Sequence, residues 1–359
     1  MIGDFHLDMK LRLDHKCANK QSDQSNRLMK NGNAMFNFDE DDQKLIEKAK
    51  RYWTDTQLAK ITNNKNYLIT PRNAPILLRR LSLLNADASM SIDSIRKFKQ
   101  VNHLLQLIEP IVFNLHQQLG DKAIQVIDCG CGNSYLTFLV AWAGEHIWHI
   151  PMKIIGIDHR MDLITKCLEK AQRLGLSTLS FEATDIETFK KNRALLSVED
   201  RKKQRFHLVV ALHACDTATD DALGLALDEQ SDAFAVAPCC QAELARKWKA
   251  LQATDQALGL LQAMMKGAEL RREGGALFTD LARVLLLRSS GYEVNTTEFV
   301  SAEHSPKNRL ITGMKRGRYL KTAIEEYAVL RQSLHCGIKL EALLTKEVHE
   351  QILALLPMI

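Results

Sequence analysis

Apolar and polar positions follow two different rhythms along this chain. After the acidic run Asp39–Asp42, apolar residues recur at helical spacing, and the carboxylates suit a helix N-terminus. A second helix is predicted from Asn73-Ala74-Pro75, with Asn as cap and Pro in the first turn. A third, from about Ser91, places Ile92, Ile95, Phe98, Val101, Leu105 and Ile108 on one face, with a kink expected at Pro110 before Ile111–Leu119 continues. Beyond Asp121 the rhythm changes. Short apolar runs at 123–128 (AIQVID), 153–158 (KIIGID), 178–181 (TLSF), 206–212 (FHLVVAL) and 233–237 (AFAVA) read as strands, and helical patterns at 136–143, 161–174 and 219–227 lie between them. Such alternation predicts parallel strands with helices on both faces.

After Gln241 a long helical stretch runs to about Ser290, with a break expected near Glu273-Gly274-Gly275. Two further strand candidates, Tyr292–Val300 and Arg309–Gly313, joined by the loop Ser301–Asn308, look like an antiparallel pair at a sheet edge. Helical patterns over 320–334 and 346–356 close the chain. The expected organisation is a flexible leader over 1–37, a helical region over 38–120, an α/β domain over 121–316 with a helical insertion at about 241–276, and C-terminal helices over 317–359.

Composition adds bounds. With 359 residues and 46% hydrophobic content the chain can build one large domain and a helical accessory part. No apolar stretch reaches the roughly 18 residues of a membrane helix, so no membrane partner is expected. Charges interrupt the N-terminus, and Asp4, Asp8 and Asp14 argue against an organelle presequence. A cytoplasmic location is expected, with the eight irregularly spaced cysteines as reduced thiols. The net charge of +5 is gathered in clusters at Arg79-Arg80, Arg96-Lys97-Lys99, Lys190-Lys191-Arg193, Arg201-Lys202-Lys203-Arg205 and Lys315-Arg316-Arg318. Such clusters permit RNA binding without requiring it; each alone also reads as a solvated face.

The strongest local signal is Asp128-Cys129-Gly130-Cys131-Gly132-Asn133-Ser134-Tyr135. Glycines directly after a buried strand allow a tight turn and close approach to a ligand. A dinucleotide fingerprint would place a third glycine where Tyr135 stands, and carboxylates at successive strand ends would repel a pyrophosphate. S-adenosylmethionine carries no phosphate and does carry an ammonium, which Asp128 could accept from. Asp158 could take both ribose hydroxyls, and Asp185 with the amide of Ile186 could read the adenine edge. The cofactor site is therefore expected at Asp128, Gly130, Gly132, Asn133, Asp158, Asp185 and Ile186. A helix-capping role is the competing reading for any one of these aspartates.

The segments DCGCGNSYLTF (128–138), ALHACDTATDDAL (211–223), VAPCCQ (236–241) and SPKNRLI (305–311) resemble a methyltransferase-domain family of RNA methyltransferases. That family includes the eukaryotic tRNA acceptor-stem ribose 2′-O-methyltransferase, the methyltransferase-like 25 proteins and the glutathione S-transferase C-terminal-domain-containing protein. The likeness covers roughly residues 90–315, and RKFKQVNH (96–103) loosely resembles the Lys-rich helix that precedes the glycine loop in those proteins. It implies an α/β Rossmann-like, seven-stranded class I methyltransferase sheet and an S-adenosylmethionine-dependent enzyme acting on RNA, tRNA or rRNA. Here the glycine loop departs from the relatives' Gly-Lys-Gly or Gly-Ser-Gly form, and the zinc-binding modules of the tRNA enzyme are missing: only His6, His15 and Cys17 stand near the N-terminus.

A weak acceptor such as a ribose hydroxyl needs a base. His213 and Asp216 after the fourth strand, and Cys239 and Cys240 after the fifth, are the catalytic candidates, since ligands bind at the carboxyl ends of such sheets. Cys239 or Cys240 could attack a cytosine covalently, or simply line the acceptor pocket. No metal site is expected: zinc or iron–sulfur ligation by His213, Cys215, Cys239 and Cys240 would need adjacent cysteines to share one ion. Methylation of protein or a small molecule, a non-catalytic donor-binding or RNA-binding scaffold, and an NAD(P) oxidoreductase remain as alternatives.

Overall fold

A computed structural model describes residues 39–212, 214–252, 262, 266–299, 309–317 and 320–356. The leader, His213 and the loop Ser301–Asn308 lie outside the described residues. Glu40–Ile359 form one unit and Met1–Asp39 another.

The helical region begins with α1 (Glu40–Tyr52), α2 (Asp55–Thr62), α3 (Pro75–Arg80) and α4 (Ile92–Leu119). Pro occupies the first turn of α3, but Ala74 is the cap; Asn73 instead accepts from the Thr70 amide at 2.7 Å and closes the preceding turn. The apolar stripe of α4 buries Phe98, Val101, Leu105 and Ile108 as expected, while its first turn leaves Ile92 exposed. Helix α4 continues through Pro110 to Leu119. Asn102, wholly buried in α4, accepts from the Ile69 amide and donates to the Phe98 carbonyl, so the loop before α3 is tied to this helix.

The α/β part runs β1 (Ile124–Cys129), α5 (Tyr135–Ala143), β2 (Met152–Asp158), α6 (Met161–Arg173), β3 (Leu179–Ala183), α7 (Ile186–Ala194), α8 (Val198–Lys203), β4 (Leu208–Ala211), α9 (Thr217–Asp228), β5 (Ala233–Val236), α10 (Glu243–Leu251), α11 (Ala268–Ser289), β6 (Tyr292–Glu298) and β7 (Arg309–Lys315). Helices α12 (Lys321–Leu334) and α13 (Lys346–Leu355) follow. The seven strands stand in the order β3-β2-β1-β4-β5-β7-β6. β1 to β5 are parallel; β7 inserts antiparallel between β5 and β6. This is the class I methyltransferase arrangement, with the strand order reversing between β1 and β4, the point beside which sheets of this kind bind ligands at their carboxyl ends. β4 and β5 are buried at every position, as central parallel strands covered on both faces must be.

Two differences from the sequence expectation have physical causes. Helices α7 and α8 fill the connection between β3 and β4, where short polar segments gave no apolar stripe to detect. Gly274-Gly275 does not break α11. A Cβ on Gly275 would stand 3.0 Å from the Ala245 amide nitrogen, so this glycine lets α10 and α11 approach closely.

One buried ionic network joins the C-terminal half. Arg283 of α11, wholly buried, donates through Nε and Nη2 to Asp220 of α9 at 3.0 and 2.6 Å, and through Nη1 to Asp280 at 3.1 Å. Its Nη2 also donates to the Asp216 carbonyl at 3.0 Å. Asp280 accepts in addition from Arg309 of β7 and from the side-chain amide of Gln241. Removing one partner would strand a buried charge. Arg283→Ala should lower stability by about 3–5 kcal/mol in urea denaturation; a loss under about 1 kcal/mol would mean the network is dispensable.

Candidate active site

The site grows from the carboxyl tips of β1, β2 and β3. Parallel register places Cys129 beside Ile157, and Asp158 beside Ala183, so the tips of the three strands are neighbours. Between β1 and α5 the loop turns through Gly130 and Gly132, whose φ angles of +67° and +56° disfavour any side chain. Gly130 also faces Ala214 after β4, where a Cβ would touch at 3.6 Å.

Asp128 is buried and accepts from Thr137 Oγ1 at 2.5 Å. Burial raises its pKa to about 7; the Thr137 hydrogen bond counters this and the Asp158 charge adds to it. A carboxylate this reluctant to ionise gains from a cationic partner. Asp158 is buried too, but held differently. Oδ1 accepts from the amide and Nε of Arg160, each at 3.0 Å; Oδ2 accepts from the Gly132 amide at 2.9 Å and Arg160 Nη2 at 3.2 Å. Burial pushes Asp158 up, yet the Arg160 and Gly132 hydrogen bonds together leave it below the usual carboxylate range. Asp158 thus ties the glycine loop to β2, and the half-exposed Arg160 takes up its remaining acceptor positions.

Asp185 follows β3 and caps α7: its carboxylate accepts from the Thr188 amide and hydroxyl, each at 2.8 Å. Those hydrogen bonds hold it below its ordinary pKa. The adjacent Ile186 amide lies in the first turn of α7, where helical amides have no partner within the helix. Asn133 is exposed beside the loop. Capping and ligand reading both remain open to Asp185, as the sequence left them.

Asp216, expected to act as an acid/base or to position the acceptor, makes contacts to α10. Its Oδ1 accepts from the Ala242 and Glu243 amides and its Oδ2 pairs with Arg246 at 2.5 Å, so it caps α10 from an unusual backbone conformation at φ 54°. Cys215 and Cys239 bring their sulfurs to 2.9 Å, with Cys240 alongside.

Sequence reading missed Thr137, Arg160 and Arg283: Thr137 and Arg283 reach aspartates of other elements, and Arg160 folds back on Asp158 two residues before it. Lys97 was seen only within its cluster. From α4 it stands over the Tyr135 ring at 5.0 Å, next to the glycine loop, and burial lowers its pKa. The basic clusters are otherwise largely neutralised. Arg80 pairs with Asp42, Lys190 with Asp228, Lys191 with Glu187, Arg193 and Arg201 with Glu229, Lys203 with Glu199, Arg205 with Asp232, and Arg316 with Glu293. A groove of about 630 Å³ lined by Lys153, Ser180, Phe189 and Arg193 carries none of the candidate chemistry.

Residues 96–247, which span α4 to β5 and reach into α10, match a family model described as a methyltransferase domain. The matched stretch, less than half of the chain, resembles the methyltransferase domains of that model and carries the fold of S-adenosylmethionine-dependent methyltransferases. No curated protein sequence matches the chain. Among solved structures, the magnesium protoporphyrin IX methyltransferase ChlM of Synechocystis PCC 6803 with bound SAH is similar at 14% identity and a TM-score of 0.35, over 68% of this chain and 96% of that one. An rRNA methylase of Streptococcus thermophilus is similar at 13% and 0.31, over 54% and 87%. The CMeT domain of the citrinin polyketide synthase is similar at 14% and 0.35, over 62% of this chain but only 57% of that one. At these values the likenesses concern the course of the chain and bear on no substrate. Among the described residues no helix is long and apolar enough to cross a membrane.

The residues present fit the donor. Two left-handed glycines leave room for close approach, and buried Asp128 stands ready for a cation. Because the raised pKa of Asp128 disfavours its charge, donor affinity should rise as pH climbs from about 6 to 8 and proton release should accompany binding. Titration calorimetry in two buffers of different ionisation enthalpy measures both, and Asp128→Asn should flatten the profile. By the same sign, burying Asp128 costs no stability below its unfolded pKa and its full penalty only above about 7. In Asp158→Asn the NH2 group would face a donor in either orientation, the Gly132 amide or Arg160, loosening the loop; a loss of donor affinity of about tenfold or more (~1.4 kcal/mol) is expected. Arg160→Ala should instead tighten donor binding severalfold, because it vacates acceptor positions of Asp158.

Proposed function

We propose that the enzyme methylates RNA, with α4 presenting the cations that hold the substrate backbone beside the donor loop. The carrying observation is Lys97. Most other basic clusters are spent on carboxylates, yet among the described residues neither Lys97 nor Lys99 has an acidic partner, and Lys97 lies against Tyr135 at the start of α5. Cations left unpaired beside the reaction centre are suited to phosphates. The His-Ala-Cys and Pro-Cys-Cys elements, which resemble those of RNA methyltransferases, support the same substrate class.

S-adenosylmethionine supplies a methyl group activated on a sulfonium. The chain's part is to hold donor and acceptor in line and exclude water. Asp128, Gly130, Gly132, Asn133, Asp158, Asp185 and Ile186 form the donor side. The segments after β4 and β5, with Cys215, Asp216, Cys239 and Cys240, form the acceptor side, where Asp216 fixes the geometry.

The neutralised clusters favour a second reading, a protein or small-molecule acceptor, for which extended basic surface is not needed. Incubation with radiolabelled donor and fractionated cell RNA and protein distinguishes the two. Label is expected in RNA, and Lys97→Ala with Lys99→Ala should reduce RNA labelling at least tenfold while leaving donor affinity within about twofold. Label confined to protein would overturn the RNA reading.

A further inference from the structure

The carboxyl tips of β4 and β5 carry a second constellation that the methyl-donor chemistry does not use. These strands pair in parallel with Ala211 level with Val236. Cys215 therefore leaves the sheet at nearly the same height as Cys239 and Cys240, although they are distant in sequence. The three thiol sulfurs all lie within 4.8 Å of one another, and those of Cys215 and Cys239 are 2.9 Å apart. Sulfurs bound to one tetrahedral zinc at about 2.3 Å stand about 3.8 Å from each other, inside that spread.

The geometry points to a site for a single thiophilic divalent ion, zinc above all, held by Cys215, Cys239 and Cys240 on the acceptor side of the active site.

The adjacency of Cys239 and Cys240 argued against a metal in the sequence; a third sulfur arriving from another strand changes the balance. Soft thiolates select zinc over harder divalent ions. The frame around them is already fixed. Asp216, next to Cys215, holds the Ala242 and Glu243 amides just beyond Cys240, and Arg283 grips the Asp216 carbonyl. Gln241, next to Cys240, is held by Asp280. Rigid outer partners of this kind are what orient metal ligands. Three protein ligands leave a fourth position for solvent or substrate, and the packing of Ala214 on Gly130 puts that position close to the donor loop. The assignment does not depend on which molecule accepts the methyl group.

The full chain, produced with zinc in the medium and purified without a metal-affinity step, should hold about one zinc per chain by elemental mass spectrometry. Replacement by cobalt should give an intense thiolate-to-cobalt charge-transfer band. Cys215→Ser, Cys239→Ser and Cys240→Ser should each lower zinc affinity at least tenfold. Should a variant fail to fold, site-resolved alkylation of the unaltered chain serves instead: added zinc should protect Cys215, Cys239 and Cys240 while leaving the half-buried Cys336 as reactive as before. Zinc content unchanged in the three variants, absence of protection, or loss of two thiols to a Cys215–Cys239 disulfide in the zinc-grown protein would overturn the site.

Discussion

Arg283 cannot reach water, and the architecture around it is arranged to answer that fact. Two carboxylates, from α9 and from its own helix, surround its guanidinium, and Arg309 from β7 shares the second of them. Burial pushes Asp220 toward its neutral form while the guanidinium pulls it back, so each group is tolerable only with the others in place. The same guanidinium reaches the backbone of Asp216, and the same Asp280 reaches Gln241. The acceptor-side turns therefore inherit their positions from an ion cluster beneath them. They are segments without regular structure, yet their shape is dictated from the interior.

The donor side is solved in another way. Burial pushes Asp128 up to about 7, Asp158 is hydrogen-bonded by the loop and Arg160, and Asp185 closes a helix. Three aspartates at neighbouring strand tips thus differ in their readiness to meet a ligand. Among the described residues Asp128 has no cationic partner, Asp158 is already paired with Arg160, and Asp185 already serves the fold. A cationic adenosine derivative complements this gradient where a dinucleotide would oppose it.

Much of the fold could be read from the chain, because each strand of the sheet is a short apolar run closed by polar residues, and the parallel helices carry clear stripes. The glycine bend after β1 was legible for the same reason: its chemistry is local. The connection through α7 and α8 was not, since those helices expose most of their surface. Gly274-Gly275 was misread as a break because a glycine's use in helix packing depends on a partner, here Ala245, that spacing does not reveal. Asp216 was legible as a polar residue in the right place; that both its oxygens serve α10 and Arg246 is a tertiary fact. The convergence of Cys215 with Cys239 and Cys240 depends on strand register, and no pattern within either segment announces it.

The placement of β7 has a consequence for how the chain matures. β5 finds its outer neighbour only in residues 309–315, well downstream, and β6 bonds to that same strand. While the polypeptide emerges from the ribosome, the five parallel strands can assemble with one flank still unsealed, a row of amides and carbonyls open to any stray extended segment. Synthesis therefore ends its most exposed phase when a single late strand slides into the gap, and truncations ahead of it would leave a sticky, half-finished sheet.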